Sequence, residues 1–228
     1  MSRFCIVPAY NEEKHVETIV NEIRKLGITP IVVDDGSTDK TFEICSSNGT
    51  TVIKHETNKG KGEAIKTGLS FLIKNHPEFT HIAVIDADMQ YHPEEMLPIF
   101  NALENSDFVM GHREWKDVPF RHRLGNFVWL NTFNIFFRTK LKDTNCGMIG
   151  FNRNGIEKIK DHILGGYIVD NSILIGAIKN NLKISQVPVK VNYDRKSKIP
   201  RGVRVVLGVL IYIIREGLRY RLGRKKYI

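Results

Sequence analysis

Short apolar runs alternate with stretches of helical period through the first half of the chain, and this alternation most constrains its fold. Arg3-Phe4-Cys5-Ile6-Val7, Pro30-Ile31-Val32-Val33, Thr51-Val52-Ile53, Thr80 to Ile85 and Phe108-Val109-Met110 are brief, apolar and partly β-branched, as buried strands are. Between them Val16, Ile19, Val20, Ile23 and Leu26 recur at helical spacing until Gly27. Ala64, Ile65, Leu69 and Leu72 repeat the pattern, as do Met96, Leu97, Ile99, Phe100 and Leu103. Ser37 or Thr38 is placed to cap the helix that runs through Phe42 and Ile44. Strands alternating with helices predict an α/β fold with a mostly parallel central sheet and helices on both faces. Ligands of such sheets bind beyond the carboxyl ends of the strands. Those ends carry Pro8 to Glu12, Asp34-Asp35, Asp86 to Gln90 and Gly111-His112-Arg113, so the polar punctuation converges on one rim.

Ile85-Asp86-Ala87-Asp88-Met89-Gln90 is the stretch where chemistry is expected. Strand alternation would put Asp86 and Asp88 on one side with Ala87 turned away. Two carboxylates leaving a buried strand together repel unless a cation or a polar network compensates them. Hard oxygen donors with Gln90 close by suit Mg²⁺ or Mn²⁺, which complete their shells with phosphates and water. The bland alternative is a strand end capped by Asp, with His92-Pro93-Glu94-Glu95 opening the next helix.

The second half changes character. Residues 120–138 hold Phe120, Phe127, Trp129, Phe133, Phe136 and Phe137, with Arg121, His122, Arg123 and Arg138 at the ends. Cys146 to Phe151 reads as a strand, Gly165-Gly166-Tyr167 as a turn, Ile168 to Lys179 as a helix, and Ile184 to Val191 as an edge strand that tolerates Pro188. Val205 to Ile214 is apolar or small throughout but falls short of the roughly 20 residues a membrane-spanning helix needs.

Lys and Arg number 34 against 25 acids, a net charge of +9 that favours an anionic partner: nucleic acid, nucleotide phosphates or an acidic membrane surface. No helix-turn-helix, zinc-finger or RNA-binding pattern supports nucleic acid. Cys5, Cys45 and Cys146 are odd in number and widely spaced, which argues against a disulfide framework or zinc site and fits a reducing compartment. Met1 leads straight into a strand-like run, with no signal peptide expected.

No Gly-x-Gly-x-x-Gly follows the first strand, and Gly60-Lys61-Gly62 lacks the spacing of a phosphate loop ending in Gly-Lys-Ser/Thr. Nucleotidyl transfer would want a Gly-rich, Arg-containing loop where Pro8-Ala9-Tyr10-Asn11 stands. What occurs in order is Val7-Pro8-Ala9-Tyr10-Asn11-Glu12-Glu13, Val32 to Asp39, Asn58-Lys59-Gly60-Lys61-Gly62 and Asp86-Ala87-Asp88. This set resembles the family 2 glycosyltransferases of GT-A fold, and in particular the polyprenyl-phosphate (dolichyl-phosphate) mannose and glucose synthases. The resemblance covers roughly residues 1–200.

The resemblance implies a nucleotide pocket lined by Pro8, Tyr10 and Glu12, with Val33 and Asp35 meeting base and ribose and Lys61-Gly62 bordering the nucleoside. Asp86, Asp88 and Gln90 would surround the metal that bridges the donor diphosphate, with Ala87 among the donor-binding residues. Tyr193 to Lys198 resembles a segment that folds over the donor phosphates, so Arg195 and Lys198 would supply positive charge. Asp170 matches one acidic position of the family, while Ser172 stands where many relatives have Glu, which weakens the case for a catalytic base.

A sugar hydroxyl acceptor needs a general base, because its pKa lies far above neutrality. A phosphate monoester is already anionic at neutral pH and needs positioning instead. Arg113, Arg121 and Arg123 are placed to hold such a phosphate, or else Arg121 and Arg123 simply flank an apolar helix. The expected protein is thus an inverting, Mg²⁺- or Mn²⁺-dependent glycosyltransferase. It would move a sugar from GDP-mannose or a UDP-sugar to a polyprenyl or dolichyl phosphate, with Asp88, Asp170 and Arg195 at the chemistry. The alternative is the same donor chemistry on a glycan or other hydroxyl acceptor. Residues 1–200 would form the catalytic domain and 201–228 a basic, membrane-associating helix. That predicts a peripheral protein on the cytoplasmic face, with room for a separate membrane-protein partner.

Overall fold

Seven strands form one sheet in the order β3-β2-β1-β4-β6-β5-β7, and the computed structural model describes residues 2–114, 120–192 and 203–224. The first four strands are β1 (Ser2–Ala9), β2 (Thr29–Asp34), β3 (Thr51–Lys54) and β4 (Phe79–Val84). They pair in parallel, with Pro8 opposite Val33 and Ile6 opposite Val84. β1 is buried without interruption from Phe4 to Ala9, which requires cover on both of its faces. That cover comes from α1 (Val16–Lys25), α2 (Thr41–Ser47), α3 (Lys61–Asn75) and α4 (Met96–Leu103). Val16, Ile19, Val20 and Ile23 are the buried stripe of α1, as their spacing predicts. A single 3₁₀ turn, Pro93–Glu95, opens α4.

β5 (Phe108–His112) and β7 (Ile184–Pro188) pair in parallel, but β6 (Ile149–Asn152) runs antiparallel between β4 and β5. The approach to β6 therefore arrives at the same rim that β1, β2 and β4 leave from. β7 is an edge strand, and Pro188 sits at its last position, where a missing N–H costs little. α6 (Arg153–Ile159) and α7 (Val169–Lys179) follow β6.

The aromatic segment is α5 (Phe120–Phe137), and it pairs with the terminal helix α8 (Val203–Arg224). Trp129 Nε1 donates to the Val206 carbonyl at 3.1 Å, and the Phe137 and Tyr220 rings lie 5.4 Å apart, so the two helices run the same way. Lys179 on α7 holds Glu216 of α8 at 2.7 Å, and Arg219 reaches the same carboxylate at 2.7 Å. Among the described residues no helix is long and apolar enough to cross a membrane.

The helix cap expected from Ser37 or Thr38 is not formed. α2 begins at Thr41, and Asp39 Oδ1 accepts from the Thr41 N–H at 3.0 Å and from its hydroxyl at 2.5 Å. Ser37 turns back to the first strand's exit, its Oγ accepting from the Asn11 N–H at 2.9 Å. Three small polar residues stand in a row there, and tertiary partners choose between them.

Candidate active site

The exits of β1 and β2 are knitted together before any ligand is considered. Asn11 Oδ1 accepts from the Thr38 N–H at 2.9 Å, and the Glu12 N–H donates to Thr41 Oγ1 at 2.8 Å. Asp35 is buried, and its carboxylate accepts from the backbone N–H groups of Lys59 (2.9 Å) and Gly60 (2.7 Å). His55 Nδ1 lies 2.7 Å from the same carboxylate and its Nε2 2.9 Å from Thr67 Oγ1, so the ring donates to Asp35 and accepts from the hydroxyl. Asp35 thus clamps the Asn58–Gly62 loop against the sheet. Two motifs that are only neighbours in order along the sequence become one piece of structure.

Several expected pocket residues shape this rim from beneath. Val33 has no exposed surface, and Pro8 and Ala87 are buried too. Val33 and Ala87 belong to the hydrophobic core, and Pro8 pairs with Val33 in the sheet. Tyr10, by contrast, is 44 % exposed at the lip. Glu12 is buried, with its carboxylate 2.9 Å from His15 Nδ1.

Asp86 and Asp88 do meet at the end of β4, though not by strand alternation. The strand stops at Val84, and both acids lie in the turn that follows. Met89 takes a left-handed backbone with φ 58°, and the Gln90 N–H donates to Asp88 Oδ1 at 3.0 Å. The turn therefore brings the acids together. Burial, and then the charge of Asp86, push the Asp88 carboxyl up to about 6.

Lys61, the first residue of α3, closes on this acid pair. Its Nζ lies 2.8 Å from Asp86 Oδ1 and 2.9 Å from Oδ2, and 3.9 Å from Asp170 Oδ1 in the first turn of α7. Burial opposes the ammonium charge, but Asp86 and Asp170 outweigh it and raise the Lys61 pKa above its ordinary value. Two glycines make this approach possible. A Cβ on Gly62 would sit 2.5 Å from the Leu164 carbonyl oxygen, so only glycine lets α3 start beside the loop that feeds α7. A Cβ on Gly147 would sit 2.7 Å from Asp86 Oδ2 and 3.1 Å from Lys61 Nζ.

Arg113 is expected to offer its charge to a phosphate, and here it is already committed. Its Nε donates to Asp143 Oδ2 at 2.7 Å and its Nη2 to Oδ1 at 3.0 Å, with both side chains 9 % exposed. Burial pushes the Asp143 carboxyl up, yet the guanidinium outweighs it and holds the acid below its usual range. The pair borders the site as a neutral unit. Arg195 and Lys198 lie outside the described residues, as does the side chain of Arg121.

A cavity of about 380 Å³ is lined by the ionic side chains of Lys61, Asp86, Asp170 and Arg113, by Gln90, Tyr91, Asn145 and Gly147, and by the apolar Trp129, Val205 and Val209. Sequence reasoning missed Tyr91, Asn145 and Gly147, whereas Trp129 belongs to the aromatic segment it singled out. The small residues Gly147 and Gly150 around β6 were the available signal for a close approach there.

Among the described residues, no group of three or more His, Cys, Asp or Glu side chains is assembled as a metal cage. The donor set still fits a divalent ion. Asp86 already takes a cation with both oxygens, from Lys61, and Asp88 and Gln90 stand in the same turn. A site of two carboxylates and an amide suits Mg²⁺ or Mn²⁺, which normally draw remaining ligands from phosphates and water.

The sequence profile of glycosyl transferase family 2 matches residues 4–160. A UDP-N-acetylglucosamine–dolichyl-phosphate N-acetylglucosaminyltransferase of Methanococcus voltae is 30 % identical, over 92 % of this chain and 92 % of that protein. A dolichyl-phosphate β-glucosyltransferase of Saccharomyces cerevisiae is 26 % identical, over 96 % of this chain and 75 % of its own length. Among solved structures, glucosyl-3-phosphoglycerate synthase of Mycobacterium tuberculosis, in complex with Mn²⁺, UDP and glucosyl-3-phosphoglycerate, superposes with a TM-score of 0.73 at 22 % identity. That superposition covers 97 % of this chain and 80 % of the other. The fold is the GT-A arrangement that the sequence implied, and the matched profile spans both the Asp35 clamp and the acid turn after β4. The chain belongs to glycosyl transferase family 2.

Proposed function

We propose that this protein transfers a sugar from a nucleoside diphosphate sugar to a polyprenyl phosphate of the dolichyl type, at a membrane surface. The observation that carries the reading is the cavity's mixed lining. It joins ionic side chains, Lys61, Asp86 and Asp170, with apolar ones, Trp129, Val205 and Val209. An acceptor with a phosphate head and an isoprenoid tail needs both kinds of surface, and the relatives named for dolichyl phosphate support the match.

In this reading Asp35 and the loop it clamps support the nucleoside, and Asp86, Asp88 and Gln90 hold a divalent ion beside the donor diphosphate. When bound, that ion supplies Lewis-acid stabilisation of the departing diphosphate. An oxygen of the acceptor phosphate attacks the anomeric carbon, the bond from that carbon to the diphosphate oxygen breaks, and the configuration inverts. The attacking oxygen carries no proton at neutral pH, so no side chain has to remove one. Arg195 and Lys198 are assigned to the donor phosphates from their place in the sequence. Asp170, 3.9 Å from the Lys61 ammonium, would serve as base only for a hydroxyl acceptor.

The location at a membrane is supported by the outer face of the α5–α8 pair. Leu124, Phe127, Val128 and Ile135 on α5 are exposed at helical spacing, and so are Leu207, Ile211, Leu218 and Leu222 on α8. Arg204, Arg215 and Arg219 are exposed on the same helix, which suits an anionic leaflet. Residues 201–228 would then be the membrane-associating segment, on the cytoplasmic face, with room for a separate membrane-protein partner.

Incubation with a panel of labelled UDP- and GDP-sugars and dolichyl phosphate in liposomes tests the proposal. Label should become chloroform-soluble for one donor, and Asp170→Asn should reduce this only modestly. Label that enters water-soluble glycan alone, with Asp170→Asn inactive, overturns it in favour of a hydroxyl acceptor.

A further inference from the structure

The Lys61 ammonium makes an unusual contact. It does not reach one carboxylate oxygen of Asp86 but both, at 2.8 and 2.9 Å, as a chelated cation does. The second acid near it, Asp170 at 3.9 Å, comes from another element altogether. The backbone that carries Lys61 is fixed, because Asp35 holds the N–H groups of Lys59 and Gly60. On the far side Gly147 leaves no room for a larger residue against either partner. The ammonium is therefore delivered to the carboxylate face where a divalent ion would coordinate. One Asp86 carboxylate cannot present both oxygens to two cations at once without strong repulsion between them.

We propose that Lys61 is a built-in counter-ion that holds the metal's place on Asp86 until a nucleoside diphosphate arrives. This rests on the proposed metal-dependent reading of the same site. The protein alone then takes up a divalent ion poorly, since the ion must displace a two-point charge-assisted contact. A nucleoside diphosphate changes the balance by offering the displaced ammonium new anionic oxygens and the metal further ligands. Metal and nucleotide are consequently taken up together. An empty site that does not hold metal also leaves Asp86 and Asp88 compensated rather than facing each other as bare charges. Lys61 acts here as a positioning residue, through the occupancy of Asp86.

The test is binding of Mn²⁺ alone, read by the electron paramagnetic resonance of the free ion, in the full chain and in Lys61→Met, Lys61→Gln and Lys61→Arg. Lys61→Met and Lys61→Gln should bind Mn²⁺ without nucleotide roughly ten- to a hundredfold more tightly than the native protein, the scale of one lost charge-assisted contact. Lys61→Arg, which keeps the cation, should stay weak. Adding UDP or GDP should tighten Mn²⁺ binding strongly in the native protein and much less in the two neutral variants. Unchanged or weaker Mn²⁺ binding in both neutral variants, with a native protein that binds Mn²⁺ in the presence of UDP or GDP, overturns the counter-ion role and leaves the metal reading standing. If the native protein and the variants ignore Mn²⁺ with UDP and GDP alike, the metal reading fails and this inference fails with it.

Discussion

The exits of β1 and β2 and the α5–α8 pair are held by different means. At the strand exits, side chains grip backbone: Asp35 holds Lys59 and Gly60, Thr41 holds Glu12, and Asn11 and Ser37 hold each other's turns. In the helix pair, α5 and α8 meet through rings and aliphatic groups, with Trp129 to Val206 and Arg221 to Phe136 among their hydrogen bonds. Hydrogen bonds depend steeply on direction, whereas apolar contacts are non-directional. The strand exits are therefore fixed in direction as well as distance, as charge stabilisation in a transition state requires. In the proposed function the helix pair has only to exclude water and accept a chain of repeating apolar units.

The sharpest break in this comparison is Asp88→Ala. Loss of one acid from the turn should lower kcat by a factor on the order of 10³, the scale of one lost electrostatic stabiliser. Circular dichroism should stay native, because Asp88 is only part-buried and contributes little packing. Near-native turnover would mean that the turn is scaffolding.

Asp143→Ala strikes behind the cavity wall, where the nearly buried Arg113 guanidinium would lose its partner. Removal of one member of a buried pair costs about 3–5 kcal/mol, and in a chain of this size that is a fall in Tm of roughly 10 °C. Thermal melting of Asp143→Ala beside the double variant Asp143→Ala/Arg113→Met checks it, and the double variant should recover much of the loss. An equal fall in both would show that packing, not an orphaned charge, is responsible.

Paired substitution of Phe127→Asp and Ile211→Asp on the outer face should act only at the helix pair. Each removes exposed apolar surface, so sedimentation with anionic liposomes should weaken by roughly tenfold or more, from about 1–2 kcal/mol per side chain. Transfer to a short, water-soluble acceptor should continue. Unaltered sedimentation would place the membrane contact elsewhere.

The smallest effect concerns the tie between α7 and α8. Burial pushes the Glu216 carboxyl up, but Lys179 and Arg219 outweigh it and hold its pKa below the ordinary 4.5. A folded-state pKa below the unfolded one contributes stability above pH 4.5 and loses it as pH falls through the folded value. Arg219 is 60 % exposed, so solvent screens the contact and about 1 kcal/mol is at stake. Protection of α8 against hydrogen exchange, taken relative to the intrinsic rate at each pH, should therefore fall below pH 4.5 in the native protein and be already low above pH 4.5 in Glu216→Gln. Identical protection in both would remove the tie.

What the sequence made legible was whatever depends on local period and on order along the chain. β-branched runs marked β1 to β5, the α1 stripe fell on the predicted residues, and Pro188 identified an edge strand. What stayed hidden was partnership across distance. Nothing in the sequence shows that Arg113 would close on Asp143, or His55 on Asp35, since neither pair shares an element. The acids of the β4 turn were located for a partly mistaken reason: alternation ends with the strand at Val84, and a left-handed Met89 does the rest. The cap of α2 failed in the same way, with Asp39 preferred over two hydroxyls that sequence treats as equivalent.

The Arg113–Asp143 pair has one more consequence. Arg113 is the first residue after β5, and Asp143 stands shortly before β6, so the fork joins the beginning and end of the long excursion that contains α5. This knot ties the excursion beside its contacts with α8 and Gln186, and its described residues add no strand to the sheet. Such a segment can lengthen, shorten or be replaced by inheritance as a cassette, with the seven-strand register unaffected. In the proposed function, recognition of the lipid can then diverge at its own pace while the nucleotide site stays under tight constraint. A chimera that takes residues 114–142 from a relative should accordingly keep its donor affinity and change its acceptor preference, and a loss of donor affinity would show that the knot does not isolate the two.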